Sequence, residues 1–408
     1  MIILFSVLTK AFLTFFVTKS MRLTWDEESA WSIAENHQAG HGYSRYYENT
    51  QEYRKSAFHG SFTVILYDFL IHYHISKYDW IVFSHIISFI LFGISVYYFY
   101  LLTAAFLFNE RMRLLATATY AFYPSVIYYV GSLMVYENFA TYLLIIFIYR
   151  MVYALKNTFS KEDHIFLPLI IAGSCLFRPQ LILIYPLVLL FYFFLSDNKK
   201  TVLLISLIAL FVTLSGFIPT LQKNHKLFGH YTIGTQRGFE LLQGHNPVAR
   251  GSWMHHWEDA GNPLYEYAHN RIRGLDSMDE YQASEARKKL AISWAIHNPA
   301  KEVILDLRKT VIYFLPDNFE ELDKIWLLDI LTLFVHILFF AGLCYTLLYH
   351  PGTKEQCVLY FPVIASLMLT LIFYVGYRWR LYAEPFMIML GWIFVENVVR
   401  SQRTTVNG

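Results

Sequence analysis

The sequence predicts an all-α, polytopic membrane protein: a bundle of about ten transmembrane helices whose outer loops carry interfacial helices. Three observations carry that prediction. Of 408 residues, 56% are apolar, 18% aromatic and only 16% charged, far more apolar surface than one water-soluble core can bury. Long runs lack ionisable groups: Trp80 to Phe108 has no Asp, Glu, Lys or Arg and as a helix would reach about 43 Å, beyond the roughly 30 Å hydrocarbon core, so it tilts or protrudes. Finally, Arg and Lys residues punctuate the short connections in a pattern that alternates with the apolar runs.

In chain order, Met1 to Thr18 has neither a basic leader nor a small-residue cleavage site and reads as a retained first span. Lys10 in its middle must snorkel or face the bundle. Lys19 to Gly60 is too polar to cross a bilayer, and Ala57 to Ile75, broken by Asp68, His72 and His74, suits a helix lying at the interface. Together, residues 19–79 form a first outer loop. Leu114 to Gly131 is the next span after Trp80 to Phe108, a short connection holds Tyr136-Glu137-Asn138, and Phe139 to Tyr153 returns. The run from Ile165 to Leu195 is interrupted at Phe177-Arg178-Pro179-Gln180; proline disfavours helix at the residue before it, so two short spans meet at a turn.

Thr201 to Pro219 leads into a second long outer loop, residues 220–325. Inside it, Asp279 to Phe314 is helical in pattern with a break at Asn298-Pro299, and its second half sets Val303, Ile304, Leu307, Val311 and Leu315 on one face, as an interfacial helix would. Trp326 to Tyr349, Val358 to Val375 and Tyr382 to Val398 complete a single membrane domain, 1–408, with no separate C-terminal soluble domain.

With ten spans, Arg111, Arg113, Arg150, Lys156, Lys161, Lys199, Lys200, Lys354, Arg400 and Arg403 share one side, which the positive-inside rule makes cytoplasmic together with both termini. Asp26, Glu27, Glu137, Arg178, the second outer loop and Tyr377-Arg378-Trp379-Arg380 then share the opposite face.

That face holds the residues with chemical promise. Leu23-Thr24-Trp25-Asp26-Glu27-Glu28 sets three acids just after the first span, and a carboxylate at the mouth of a membrane cavity costs desolvation unless it is paired or working. Asp26 is the candidate base; the competing reading is that the three acids cap the following helix. Arg178, Arg378 and Arg380 run against the positive-inside bias and call for anions. The planar donor fork of arginine suits a lipid-linked phosphate, while pairing with Glu137, Glu384 or lipid headgroups is the alternative. Gly238-Phe239-Glu240-Leu241-Leu242-Gln243-Gly244-His245-Asn246-Pro247, followed by Ala249 and Gly251, punctuates a turn able to approach a sugar or phosphate closely.

Other classes fall away. The net charge of +2 leaves no electrostatic footprint for nucleic acid. Cys175, Cys344 and Cys357 lie in or beside apolar runs without metal-ligand spacing, and no HExxH-type pattern organises the sixteen histidines, among them His225, His230, His245, His255 and His256. No protein-borne metal site is expected, although a divalent cation, Mg or Mn, shared by Asp26 or Glu27 and a substrate phosphate stays open. No Walker A motif, dinucleotide fingerprint or nucleophile elbow is present.

The order of these pieces resembles the GT-C superfamily of polytopic glycosyltransferases, and is similar in particular to the bacterial enzymes related to protein O-mannosyltransferases and the aminoarabinose transferase of lipid A. The resemblance rests on Trp25-Asp26-Glu27, Tyr136-Glu137, Arg178-Pro179, Gly244-His245-Asn246-Pro247 with Ala249 and Gly251, and Arg380-Leu381-Tyr382-Ala383-Glu384-Pro385, and it spans nearly the whole chain. Three departures, His245 where Asn is more usual, Gln180 where Glu is common and Phe58-His59-Gly60 in place of a Pro-rich turn, leave the donor sugar and acceptor open.

The resemblance implies a hexosyl- or pentosyltransferase of the bacterial cell membrane, facing the exterior, that takes a sugar from a polyprenyl phosphate and moves it with inversion to a hydroxyl on a glycan, lipid or protein. Asp26 would be the base, Glu27 or Glu137 would orient the acceptor or a cation, and Arg178, Arg378 and Arg380 would hold the lipid phosphate. His245, Asn246, Tyr382 and Glu384 would contact substrate. Competing readings are a polysaccharide polymerase using lipid diphosphate-linked oligosaccharides and a transporter of lipid-linked sugar, against which the absence of a visible inverted repeat argues.

Overall fold

The computed structural model of the protein describes residues 1–17, 23, 25–47, 50–59, 62–127, 136–254, 259–315, 326–349 and 352–406. The chain is mostly helical. In order come α1 (Ile2–Phe12), α2 (Trp25–Asn36), α3 (Phe62–His72), α4 (Lys77–Phe106), α5 (Glu110–Ala121) and α6 (Tyr136–Lys156). The next five are α7 (Asp163–Phe177), α8 (Leu181–Leu195), α9 (Lys199–Phe228), α10 (Gln236–Gly244) and α11 (Pro263–Arg271). The chain closes with α12 (Glu280–His297), α13 (Pro299–Phe314), α14 (Trp326–Leu348), α15 (Lys354–Ile372), α16 (Tyr377–Arg380) and α17 (Glu384–Val406). The expectation of purely helical structure misses a hairpin between α2 and α3, where β1 (Ser44–Tyr47) pairs antiparallel with β2 (Glu52–Lys55), Tyr46 opposite Tyr53. Paired tyrosines on a short two-sided strand favour that pleat.

Local chemistry sets the helix ends. Ser76 accepts from the Asp79 amide at 3.1 Å to start α4, and full capping boxes, Asp279 with Gln282 and Thr353 with Gln356, start α12 and α15. Pro299 occupies the first turn of α13, so the Asn298-Pro299 break separates two helices as the sequence indicates. Gly229, left-handed at φ 76°, stops α9.

Among the described residues, Lys77–Phe106, Glu137–Lys156, Lys199–Phe228, Ile330–Leu348 and Lys354–Ile372 are long and apolar enough to cross a membrane, and Ile2–Phe16, Phe62–His72, Asp163–Phe177 and Leu181–Leu195 are shorter apolar helices. The lengths do not establish ten spans. The expected span from Leu114 to Gly131 is α5, which ends at Ala121 where Pro124 turns the backbone of the residues before it out of the helical region, and 128–135 lie outside the described residues. Tyr136-Glu137-Asn138, expected in a connection, instead opens α6.

The bundle is layered around α6, whose Ala140, Leu144, Phe147, Ile148 and Met151 are all buried. α4 and α7 flank it, α9 packs on α7, α8 on α15, and α14 with α15 sandwiches α17. Lys10 faces the bundle rather than snorkelling: fully buried, its ammonium donates to the Tyr142 hydroxyl at 3.1 Å and lies 3.3 Å from the centre of the Phe92 ring. The outer faces stay apolar, with Leu203, Leu207, Leu210, Phe211 and Leu214 of α9 exposed, the pattern of a helix whose solvent is lipid. On α13, Val303, Ile304, Leu307, Val311 and Leu315 are 50% to 66% exposed, the face that periodicity assigns to an interface.

Candidate active site

Three chain breaks converge at one end of the bundle. Arg178 leaves α7 with extended backbone, φ −133° and ψ 91°, because Pro179 follows it. Glu137 lies in the first turn of α6, and Arg378 sits on the single turn of α16. Asp26, Glu27 and Glu28 share the first turn of α2, and since successive helical residues point about 100° apart they diverge. Asp26 faces a cavity, Glu27 is fully buried, and Glu28 pairs with Lys77 at the surface.

Four charges then alternate in sign. Arg378 donates from Nη1 to Asp26 Oδ2 at 2.6 Å, the same nitrogen lies 4.0 Å from Glu137 Oε1, and Glu137 forms an ion pair with Arg178. Glu137 is 1% exposed, so this is a desolvated network in which each charge depends on its neighbours. Burial alone would push the Asp26 carboxyl up, but Arg378 and Arg178, with His59 alongside, outweigh burial and hold it well below the usual carboxylate range.

The network borders a cavity of about 370 Å³. Its walls come from Asp26 of α2, His59 between β2 and α3, Arg178 and Gln180 of the turn between α7 and α8, Glu240 of α10 and Phe373 beyond α15. The close fit of α10 needs its glycines: a Cβ on Gly244 would meet the Phe373 carbonyl oxygen at 1.5 Å, and one on Gly238 the Ser284 carbonyl oxygen at 1.9 Å. The Gly-rich stretch thus serves helix packing, and through it the placement of Glu240.

Other expected site residues go elsewhere. Arg380 is 4% exposed and committed to Glu384 at 2.8 Å and to the carbonyls of Tyr313 and Leu315 at 3.2 and 2.6 Å, while Glu384 also accepts from Ser125. A guanidinium with these three acceptors is an anchor for the end of α13. His245 bridges Glu302 and the Ile372 carbonyl, and Asn246 turns its amide onto the Leu242 carbonyl at 2.6 Å while accepting from Val248 N, so both clamp the backbone after α10. Tyr382 is fully buried close to Arg178. Thr24, Gly60, His255 and His256 lie outside the described residues, as do the side chains of Trp25, Tyr136 and Tyr377.

Two cavity residues enter the sequence reading only inside longer segments, without a role of their own. His59, 8% exposed, is lowered to about 4 by burial, which outweighs the pull of Asp26, so the ring is neutral at physiological pH. Glu240, 4% exposed, is raised to about 7 by burial, with Asp26 adding to the rise and Arg178 and Gln180 opposing it. The signal available in the sequence was an acid between Phe239 and Leu241-Leu242 in a segment with small residues at both ends. Because the folded state keeps its proton where the unfolded chain has lost it, Glu240 leaves stability intact below its ordinary 4.5 and erodes it as pH climbs to about 7, by at most about 3 kcal/mol. Glu240→Gln should therefore raise Tm over the wild type at pH 8 and leave it unchanged at pH 4.5. An equal Tm difference at both pH values would contradict this placement.

Glu27 does not line the cavity, Asp26 and Glu137 already face guanidinium groups, and no three His, Cys, Asp or Glu side chains cluster among the described residues.

No protein-family model matches the chain, and no curated protein matches it. Solved structures do. The Archaeoglobus fulgidus oligosaccharyltransferase in complex with Zn and sulfate matches over 98% of this chain with a TM-score of 0.51 at 14% identity, and the apo form of that enzyme over 99% with a TM-score of 0.51 at 13% identity. The chain spans 49% and 52% of the length of those two structures. The likeness is one of fold and does not single out the O-mannosyltransferase or aminoarabinose-transferase branch, so the charged network and its cavity are set in a helical membrane fold like that of the archaeal oligosaccharyltransferase.

Proposed function

We propose that this chain is a membrane glycosyltransferase of the GT-C type that moves a sugar from a polyprenyl-phosphate donor to an acceptor hydroxyl, with inversion at the anomeric carbon. One observation carries the reading: the Asp26–Arg378–Glu137–Arg178 network stands beside a cavity whose Ile182 wall is shared with an apolar groove of about 450 Å³ between α7, α8 and α9. A phosphate at the arginines with its isoprenoid tail in that groove matches an anionic head to cationic donors and a hydrocarbon to Leu189, Leu203 and Leu207.

Asp26 takes the proton of the attacking hydroxyl as its oxygen forms the new bond to the anomeric carbon. The bond from that carbon to the phosphate oxygen breaks, and the lipid phosphate leaves with the electron pair, its charge met by Arg178 and Arg378. Paired with Arg378, Asp26 is a poor base. A donor phosphate that draws Arg378 away restores its basicity, so donor binding prepares the acid for the acceptor. Arg380, engaged with Glu384, has no part in that clamp. Glu137 holds the two arginines apart from each other, and Glu240 is the second acid able to exchange a proton with bound sugar.

In this reading ten spans place the cavity on the outer face of a bacterial cell membrane, with the positive connections inside. Mass spectrometry of envelope glycans and glycoproteins tests the function. A deletion strain should lack one sugar modification that the wild-type gene restores and Asp26→Asn does not. A deletion that leaves every envelope glycan unchanged would overturn the proposal.

A further inference from the structure

Helices α12 and α13 meet at the Asn298-Pro299 corner, and each holds one face against the protein. On α13 that face is Leu305, Lys309 and Tyr313, spaced i, i+4, i+8 and all buried. The Lys309 ammonium donates to the Leu371 carbonyl at 2.8 Å and the Tyr313 hydroxyl to Ser366 Oγ at 2.9 Å, both on α15. On α12 the buried side carries Ala283, Ser284 and Ala291, and the helix packs on α10. The opposite faces are open. Ile292 and Ile296 of α12 are 45% and 69% exposed, and just past the corner the exposed stripe of Val303, Ile304, Leu307 and Val311 begins.

Charge is sorted about that stripe. At about 100° per residue, Lys301 and Arg308 fall together on one flank, three residues before Ile304 and four after it, while Glu302 and Asp306 fall on the other. The acids are engaged, Glu302 with His245 and Asp306 with Lys309 at 3.4 Å. Lys301 and Arg308 are exposed, and so is Lys289, which shares the open face of α12 with Ile292 and Ile296 at i, i+3, i+7. Among the described residues none of these three cations has a side-chain hydrogen bond, an ion pair or a ring contact, whereas the neighbouring Lys288 pairs with Glu285 at 3.0 Å. Branched apolar side chains with cations along one edge match a bilayer surface, where hydrocarbon takes the stripe and headgroup phosphates take the charges.

We infer that the corner of α12 and α13 is a recognition surface for anionic phospholipids. Ile292, Ile296 and the stripe of α13 enter the bilayer, and Lys289, Lys301 and Arg308 gather headgroups of net negative charge around them. The inference is independent of sugar transfer, since it needs only the membrane. A cation at an anionic lipid surface is worth roughly a fivefold preference, exerted within a Debye length of about 10 Å at 0.1 M salt.

The test places the full chain, one copy per nanodisc, in an equal mixture of phosphatidylcholine and phosphatidylglycerol. Cys344 and Cys357 are replaced by alanine, the buried Cys175 is left in place, and a bimane fluorophore is attached at Ile304→Cys. A nitroxide quencher is carried on the acyl chains of one lipid or the other at equal mole fraction. Labelled phosphatidylglycerol should quench at least about threefold more strongly than labelled phosphatidylcholine, and the two should become equal in about 1 M salt or in Lys301→Gln/Arg308→Gln. Quenching by labelled phosphatidylcholine should persist in that variant, because the stripe keeps the helix in the bilayer. Bimane at Leu207→Cys, on the exposed face of α9, should show no preference between the lipids. Equal quenching by the two lipids at Ile304→Cys, a preference that survives the double variant, or an equal preference at Leu207→Cys overturns the inference. So does the absence of quenching by either lipid at Ile304→Cys while Leu207→Cys is quenched by both, which would give this face to a protein partner or a second copy of the chain.

Discussion

Replacing Asp26 with asparagine is expected to slow sugar transfer by at least about 100-fold, while binding of farnesyl phosphate holds or tightens. Asparagine keeps the volume and much of the hydrogen-bonding shape but has almost no basicity. It also releases Arg378, whose 2.6 Å bond to Asp26 in the wild type competes with an incoming phosphate. Opposite movement of turnover and donor affinity is the mark of a group that serves as base and as placeholder; a merely structural carboxylate would lower both. Glu27→Gln should cost far less, since Glu27 does not line the cavity. If Asp26→Asn turns over normally while Glu137→Gln or Glu240→Gln abolishes transfer, the base is that other acid.

Arg178→Ala should have the second large effect, and a double variant divides it into two parts. Removing the guanidinium leaves the buried Glu137, 1% exposed, with only the more distant Arg378 at 4.0 Å to balance it, a loss of about 3 kcal/mol in stability. Farnesyl phosphate affinity should fall by one to three decades, about 2–5 kcal/mol, with lysine restoring only part of it for want of the planar fork. Adding Glu137→Gln removes the stranded charge, so Arg178→Ala/Glu137→Gln should recover most of the Tm and none of the phosphate affinity. Recovery of both would mean that Arg178 acts only through Glu137. Arg380→Ala supplies the contrast: it breaks contacts to Glu384, Tyr313 and Leu315, so it should lower Tm and leave phosphate binding alone.

The legible parts of the chain were those governed by local rules. Proline fixed the turn at Arg178 and the break at Asn298-Pro299, and helical periodicity fixed the exposed face of α13. A shared polar end of the bundle brought Asp26, Glu137, Arg178 and Arg378 together as the placement of charges suggested. What local rules could not decide was the direction of individual side chains. Arg378 and Arg380 look equivalent two residues apart, yet on one tight turn they face different neighbours, Asp26 and Glu384. His245 and Asn246 look like ligand contacts because polar side chains beside a glycine often are, but they satisfy backbone carbonyls that a helix end leaves without partners. Glu240 was hidden for the converse reason, since its importance comes from walls supplied by α7, α8 and the first loop, distant in sequence.

Under the proposed transfer function, the apolar stripe of α13 would make bilayer thickness a control on the reaction. That helix floats at the lipid surface on Val303, Ile304, Leu307 and Val311, while through Glu302 and His245 it is fastened to the segment following α10, the helix that forms one wall of the cavity. The opposite wall, around Arg178, is carried by the shorter apolar helices α7 and α8. With α13 at a bilayer surface and α7 and α8 in its core, lipids with longer or shorter tails would move one wall against the other, widening or pinching the gap proposed for donor and acceptor. Acyl length in the surrounding membrane then acts as a tuning variable with an optimum, independent of how tightly either substrate binds.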